Sequence, residues 1–202
     1  MNRTNRKSVT ALTTTALLTA LMLVLSFTPL GFIPLGAVSI TIVHLPVLIG
    51  LMAQGLPTGI LLGALFGLIS LVKSLAPTGL LDPFFIDPLI SVLPRLLIPL
   101  AAYGAYRGVH MLLRGRQGAQ HAAVAIGALA GSLVNTCGVL GMLFLRYGER
   151  IAQAMGIAQG AVGGVLLGVA ATNGIPEAIA SMVLTPVIVM AVLRATRRSV
   201  HI

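Results

Sequence analysis

The chain has 202 residues, of which 57% are hydrophobic and 8% charged, with a mean hydropathy of +1.02. No water-soluble domain is expected to carry that composition, so the chain reads as a polytopic α-helical membrane protein. The net charge of +9 does not point to nucleic acid, because the basic residues flank apolar runs instead of forming a patch.

The apolar runs are continuous rather than alternating, which argues against an outer-membrane barrel. Cys137 is the single cysteine, so a disulfide framework is excluded. The N-terminal run imitates a signal peptide, but its apolar part is longer than a usual signal core and no clear small-x-small site follows. It is read as a first span, about 9–28. A Pro/Gly-rich connector covers 29–39. Spans at about 40–53 and 58–72 follow, joined by the turn Gln54-Gly55-Leu56-Pro57. A loop over 73–86 leads into a fourth span at about 88–107, which Asp87-Pro88 is expected to start as cap and first helical residue. A basic, polar stretch separates it from a fifth span at about 122–145. The Gly/Ala-rich piece 146–172 is ambiguous, and a sixth span occupies about 174–193.

Six spans place Arg3, Arg6, Lys7, Arg107, Arg114, Arg116, Arg194, Arg197 and Arg198 on one side, which the positive-inside rule makes cytoplasmic. A seventh span over 158–171 would export the basic tail and is rejected. The expectation is an all-α membrane protein: residues 1–202 as a single domain, a compact bundle of six transmembrane helices with both termini cytoplasmic. Small residues recur at four-residue spacing, as in Gly59-Gly63-Gly67 and Gly160-Gly164-Gly168, and can let helices approach closely.

Polar residues at membrane depth are few and therefore informative. Arg95 sits about two turns into the fourth span, where an unpaired charge costs on the order of 3 kcal/mol. Asp87, Ser91 and Arg95 recur at i, i+4 and i+8, so they share one helix face. Thr41 and His44 open the second span, Ser132, Asn135 and Thr136 lie on the fifth, and Asn173 and Glu177 head a face of the sixth. Together these groups are able to line one pocket opening outward. Each also has a plain structural reading. Asp87 caps a helix, Glu177 complements a helix dipole, His44 bonds a neighbouring carbonyl, Asn135 and Thr136 tie helices together, and Arg95 bridges to Asp87 or Glu177. Arginine's planar fork favours an anionic ligand group.

Catalytic signatures are mostly missing: no phosphate-binding loop surrounds Lys7 or Lys73, and no His or Cys spacing marks a metal. Neither cofactor nor metal is expected. The enzyme reading left open is an intramembrane aspartyl pair, Asp82 with Asp87, in a membrane protein working alone; a scaffold is the other stand-alone reading.

TIVHLPVLIG in the second span, DPLISVLPRLLIPLAAYGAYR in the fourth, LVNTCGVLGMLFL in the fifth and NGIPEAIASMVLTPVIV in the sixth occur in an order that resembles the substrate-binding S components of energy-coupling factor vitamin transporters. The resemblance covers nearly the whole chain. It implies a six-helix subunit of the cell membrane that binds a small vitamin from outside and topples beside a transmembrane T component driven by two cytosolic ATPases. It also implies that Ala16 and Ala20 dock on the T component, and that the connector and the 73–86 loop form outer lids. The site expected from the polar residues at membrane depth comprises Arg95, Asn135, Thr136, Asn173, Glu177, His44 and Ser91. The motifs look nearest to the pantothenate branch, and one arginine among amide and hydroxyl groups suits a ligand with one carboxylate and several hydroxyls. The absence of Trp mildly disfavours large fused-ring vitamins.

Overall fold

The computed structural model describes residues 3–28, 31–35, 38–77 and 79–196, with side chains for 9, 11–28, 31, 42–77 and 79–194. Thr41 and the charged groups of Arg3, Arg6, Lys7, Arg197 and Arg198 lie outside the described side chains. The first helix, α1 (Arg3–Phe27), buries Leu18, Met22 and Leu25 and turns Leu12, Leu17, Leu21 and Val24 outward. Its threonines fit an apolar setting because Thr13, Thr15 and Thr19 each donate to the carbonyl four residues back, at 2.9 Å.

The connector is not structureless. It carries an antiparallel hairpin, β1 (Phe32–Leu35) with β2 (Val38–Thr41), in which Phe32 pairs with Thr41 and Leu35 with Val38. The second span accordingly begins later, as α2 (Leu45–Gln54). Its ten residues rise about 15 Å, half the thickness of a hydrocarbon core. Every residue from Leu45 to Ala53 is buried, because α2 is apolar on all sides and its neighbours close round it. Gly55, at φ 95°, makes the left-handed turn into α3 (Leu56–Lys73).

A 3₁₀ turn, Asp82–Ile86, ends the following loop, and the fourth span is broken rather than continuous. A single turn, α4 (Pro88–Ser91), is followed by Val92 and then α5 (Leu93–Leu112). Pro94 causes the break, since it cannot donate to the Ile90 carbonyl four residues earlier. Asp87, Ser91 and Arg95 therefore do not share one regular helical face.

Helix α6 (Ala119–Met155) runs 37 residues, about 55 Å, and absorbs the first part of the stretch the sequence left ambiguous. Gly156, at φ 64°, ends it. The remainder forms α7 (Val162–Val169), which passes through a π turn, Ala170–Gly174, directly into α8 (Ile175–Thr196). Residues 162–171 are thus continuous with the last helix. Four helical segments are long and apolar enough to cross a membrane: Leu56–Lys73, Pro88–Leu112, Ala119–Met155 and Gln159–Arg194. The architecture is that of a multi-pass helical membrane protein.

Glycines bring α3 against the break. A Cβ at Gly67 would lie 2.7 Å from Val92 Cα, and one at Gly63 would lie 2.6 Å from the Arg95 carbonyl oxygen. Gly127 and Gly131 do the same for α6 against α5. Gly160, Gly164 and Gly168 meet nothing within 4 Å, so that spacing does not mediate packing inside the described bundle.

Candidate functional site

The site begins at the helix break. Asp87 caps α4, its carboxylate accepting the Leu89 amide at 2.9 Å. The same carboxylate accepts from Arg146 Nε at 2.7 Å and from the Tyr147 hydroxyl at 3.1 Å, so it is α6, and not Arg95, that satisfies it. Burial pushes the Asp87 carboxyl up, but the Leu89 amide, Arg146 and Tyr147 outweigh it and hold the group below the usual carboxylate range. Ser91 is buried and spends its hydroxyl on the Asp87 carbonyl, 2.9 Å away, so it lines neither of the cavities described below.

Arg95 takes the acceptor that Pro94 leaves vacant. Its Nη1 donates to the Ile90 carbonyl at 2.6 Å, and Nη2 reaches Ser70 Oγ at 3.3 Å. The rings of Phe66 and Phe85 each lie with their centroid 5.3 Å from the guanidinium carbon. Nε is buried with no hydrogen-bond partner. The guanidinium is thus fixed by a backbone carbonyl and two aromatic faces and keeps donor capacity in reserve.

Two cavities meet at Arg95, Phe66 and Phe85. One, of about 240 Å³, is bounded by Ser26, Ser70, Lys73, Ser74 and Asp82. The other, of about 220 Å³, is bounded by His44, Asn135, Thr136, Asn173 and Glu177. The structure therefore brings together six of the seven residues expected at a binding site and leaves Ser91 outside. Within the second cavity, His44 Nε2 lies 2.6 Å from Ser181 Oγ, and that hydroxyl donates to the Glu177 carbonyl at 2.7 Å. With the hydroxyl hydrogen so engaged, Nε2 carries the proton and donates to Oγ. Asn135 Oδ1 is buried without a partner. Asn173 is exposed on the π turn at the rim. A Cβ at Gly174 would lie 2.7 Å from Thr136 Cγ2, so glycine lets α8 and its polar face approach α6 this closely.

Phe66, Phe85, Ser70 and Arg146 escaped the sequence reading. Aromatic residues in apolar runs carry no signal of their own, and Arg146 reads as a loop charge until α6 is seen to continue through it. The aspartyl pair does not form: Asp82 Oδ2 accepts the Gly79 amide at 2.7 Å, whereas Asp87 Oδ2 accepts from Arg146. Each carboxylate is committed to a different partner, and a dyad needs the two to share a proton. Among the described residues no group of three or more His, Cys, Asp or Glu side chains is placed to hold a metal ion.

Residues 10–189 match the family described as ECF transporter, substrate-specific component. The chain is also 31% identical over 175 residues to the pantothenic acid transporter PanT of Lactococcus lactis subsp. cremoris (strain MG1363), a match covering 79% of this chain and 80% of that protein. A polar, arginine-centred cavity within a helical membrane protein accords with the solute-binding role that these matches carry. The chain belongs to the family of substrate-specific components of ECF transporters.

Proposed function

We propose that this protein captures pantothenate at the outer face of a bacterial-type plasma membrane and hands it to an importer composed of a T component and two cytosolic ATPases. Residues 1–202 act as one membrane domain of six spans, with α1 and the short α2 counted among them and both termini cytoplasmic. The handover occurs by toppling of the loaded subunit against the T component. The observation that carries the reading is Arg95: a buried guanidinium anchored on a backbone carbonyl, with Nε unpartnered, at the junction of two polar cavities. A carboxylate is the natural ligand group for such a fork. Asn135, Thr136, His44, Asn173 and Glu177 supply the donors and acceptors that hydroxyls and an amide require. The similarity to PanT supports pantothenate over other vitamins.

Ala16 and Ala20 are exposed on α1, amid the outward-facing Leu12, Leu17 and Leu21, and serve as the T-component contact. The deciding experiment is calorimetric titration of the purified protein with a panel of vitamins. Saturable binding of pantothenate, with no response to riboflavin or folate, is expected; absence of pantothenate binding refutes the substrate assignment.

A further inference from the structure

The two cavities differ in charge, and that difference sets how a ligand must lie. The cavities share the wall made by Phe66, Phe85 and Arg95, so a ligand long enough to occupy both passes the Arg95 junction. The second cavity carries the Glu177 carboxylate with amide, imidazole and hydroxyl groups. A ligand carboxylate placed there would face a like charge in a poorly screened setting. The first carries Lys73 together with Ser26, Ser70 and Ser74. Ser26 is 5% exposed and its Oγ has no hydrogen-bond partner, as is true of Arg95 Nε at the same wall. Asp82 also borders this cavity, so Lys73 and Asp82 offset each other there, whereas the second cavity carries a carboxylate and no lysine.

We infer that the ligand lies across the Phe66–Phe85 waist with its anionic end in the cavity of Ser26, Ser70, Lys73 and Ser74, and its hydroxylated end among Asn135, Thr136 and His44. Lys73 and Ser26 are then specificity residues for the carboxylate, reading it together with Arg95. Phe66 and Phe85 pack the middle of the ligand. This rests on the reading of the site as one for a carboxylated vitamin, but it does not depend on which vitamin that is.

The test compares each acid with a neutral counterpart of nearly the same shape: pantothenate with pantothenol, and nicotinate with nicotinamide. Full-length protein in nanodiscs is titrated calorimetrically, as wild type and as Lys73→Gln, Lys73→Arg, Ser26→Ala and Asn135→Ala. Wild type is expected to bind the acid at least about tenfold tighter than its neutral partner, since charge-assisted hydrogen bonds are the strong ones. Lys73→Gln and Ser26→Ala should weaken the acid by roughly three- to thirtyfold and leave the neutral compound within about twofold. Lys73→Arg should restore acid preference. Asn135→Ala should weaken pantothenate and pantothenol alike. A merely structural role for Lys73 or Ser26 would lower both affinities together and overturn the inference, as would loss of acid preference in Asn135→Ala alone. Wild type that binds neither acid better than its neutral partner also overturns it. Preference for nicotinate that depends on Lys73, without pantothenate binding, would refute the pantothenate assignment and leave the placement of the anionic end standing.

Discussion

Arg95 donates from Nη1 to the carbonyl of Ile90, five residues back, where a regular helix would use the amide that Pro94 lacks. Proline and arginine therefore act as a pair. The first opens a backbone acceptor inside the bundle, and the second fills it, which anchors a cation at the ligand site on a backbone carbonyl. The predicted outcome of Pro94→Ala is specific. Its new amide competes for the Ile90 carbonyl, α4 and α5 merge, and the guanidinium is released. Unfolding temperature should stay the same or rise, because a ladder bond is gained, whereas ligand affinity should fall about tenfold or more. Unchanged affinity on calorimetric titration would show that the anchor is unimportant.

Arg95→Ala separates binding from structure. The variant exposes the Ile90 carbonyl and opens a void between Phe66 and Phe85, so a stability loss of about 1–3 kcal/mol is expected. The protein should still fold and co-purify with its transporter partners, yet bind ligand at least a hundredfold more weakly. Size-exclusion profiles alongside titration distinguish the two effects; aggregation of the variant would favour a structural bridge as its main role.

The glycine rows make opposed predictions. At Gly67 the neighbour is the Val92 backbone, which cannot swing aside, so Gly67→Ala should cost about 1–3 kcal/mol. Gly164 faces open space on α7, and Gly164→Ala should stabilise by up to about 1 kcal/mol through helix propensity alone. Thermal unfolding in detergent reads both. Equal effects would mean that the α3 approach to the break is looser than the distances indicate.

Asp87 supplies a pH signature. Its carboxyl titrates below the ordinary carboxylate value when folded, so its contribution is fully present above the unfolded value of about 4. That contribution is lost only as pH falls through the folded value. Stability should therefore not depend on this group between pH 5 and 8, and should decline below about pH 4. Asp87→Ala should cost about 1–2 kcal/mol at neutral pH, mainly through the lost cap. Arg146→Ala should cost less, because that side chain is 46% exposed and the pair is screened. Melting curves collected from pH 3 to 7 test both points; an acid decline as steep in Asp87→Asn as in wild type would show that this carboxyl is not its source.

Docking through α1 is checked by Ala16→Trp. The substitution should sharply reduce co-purification with a T component while leaving ligand affinity of the isolated protein within about twofold, since Ala16 is exposed and remote from both cavities. Intact assembly and uptake would mean that another face makes the contact.

Much of the bundle was legible because apolar run length and caps are local properties. Asp87 as cap, the reversal at Gly55 and the polar faces of α6 and α8 all followed from neighbouring residues. The parts that escaped depend on partners far away in sequence. The hairpin over 32–41 has no strong alternation to announce it, and Pro94 within an apolar run does not reveal whether a helix bends or stops. The second partner of Asp87 is a case in point. Arg95 is near in sequence, yet Arg146, 59 residues away, is the partner that α6 delivers. Ser91 fits the site by helical spacing but not by geometry, because the helix supplying that spacing ends at Val92.

The break at Val92 and the π turn at Ala170–Gly174 both lie beside the second cavity: Arg95 follows the break by three residues, and Asn173 and Gly174 belong to the π turn. Irregular backbone at membrane depth is tolerated where it borders a polar cavity and not where it meets lipid. Irregular turns open more readily than the regular ladder of α6, so their amide protons should trade with solvent deuterium sooner than those of α6. A bound ligand would slow that exchange on two helices at once, although they are some eighty residues apart along the chain.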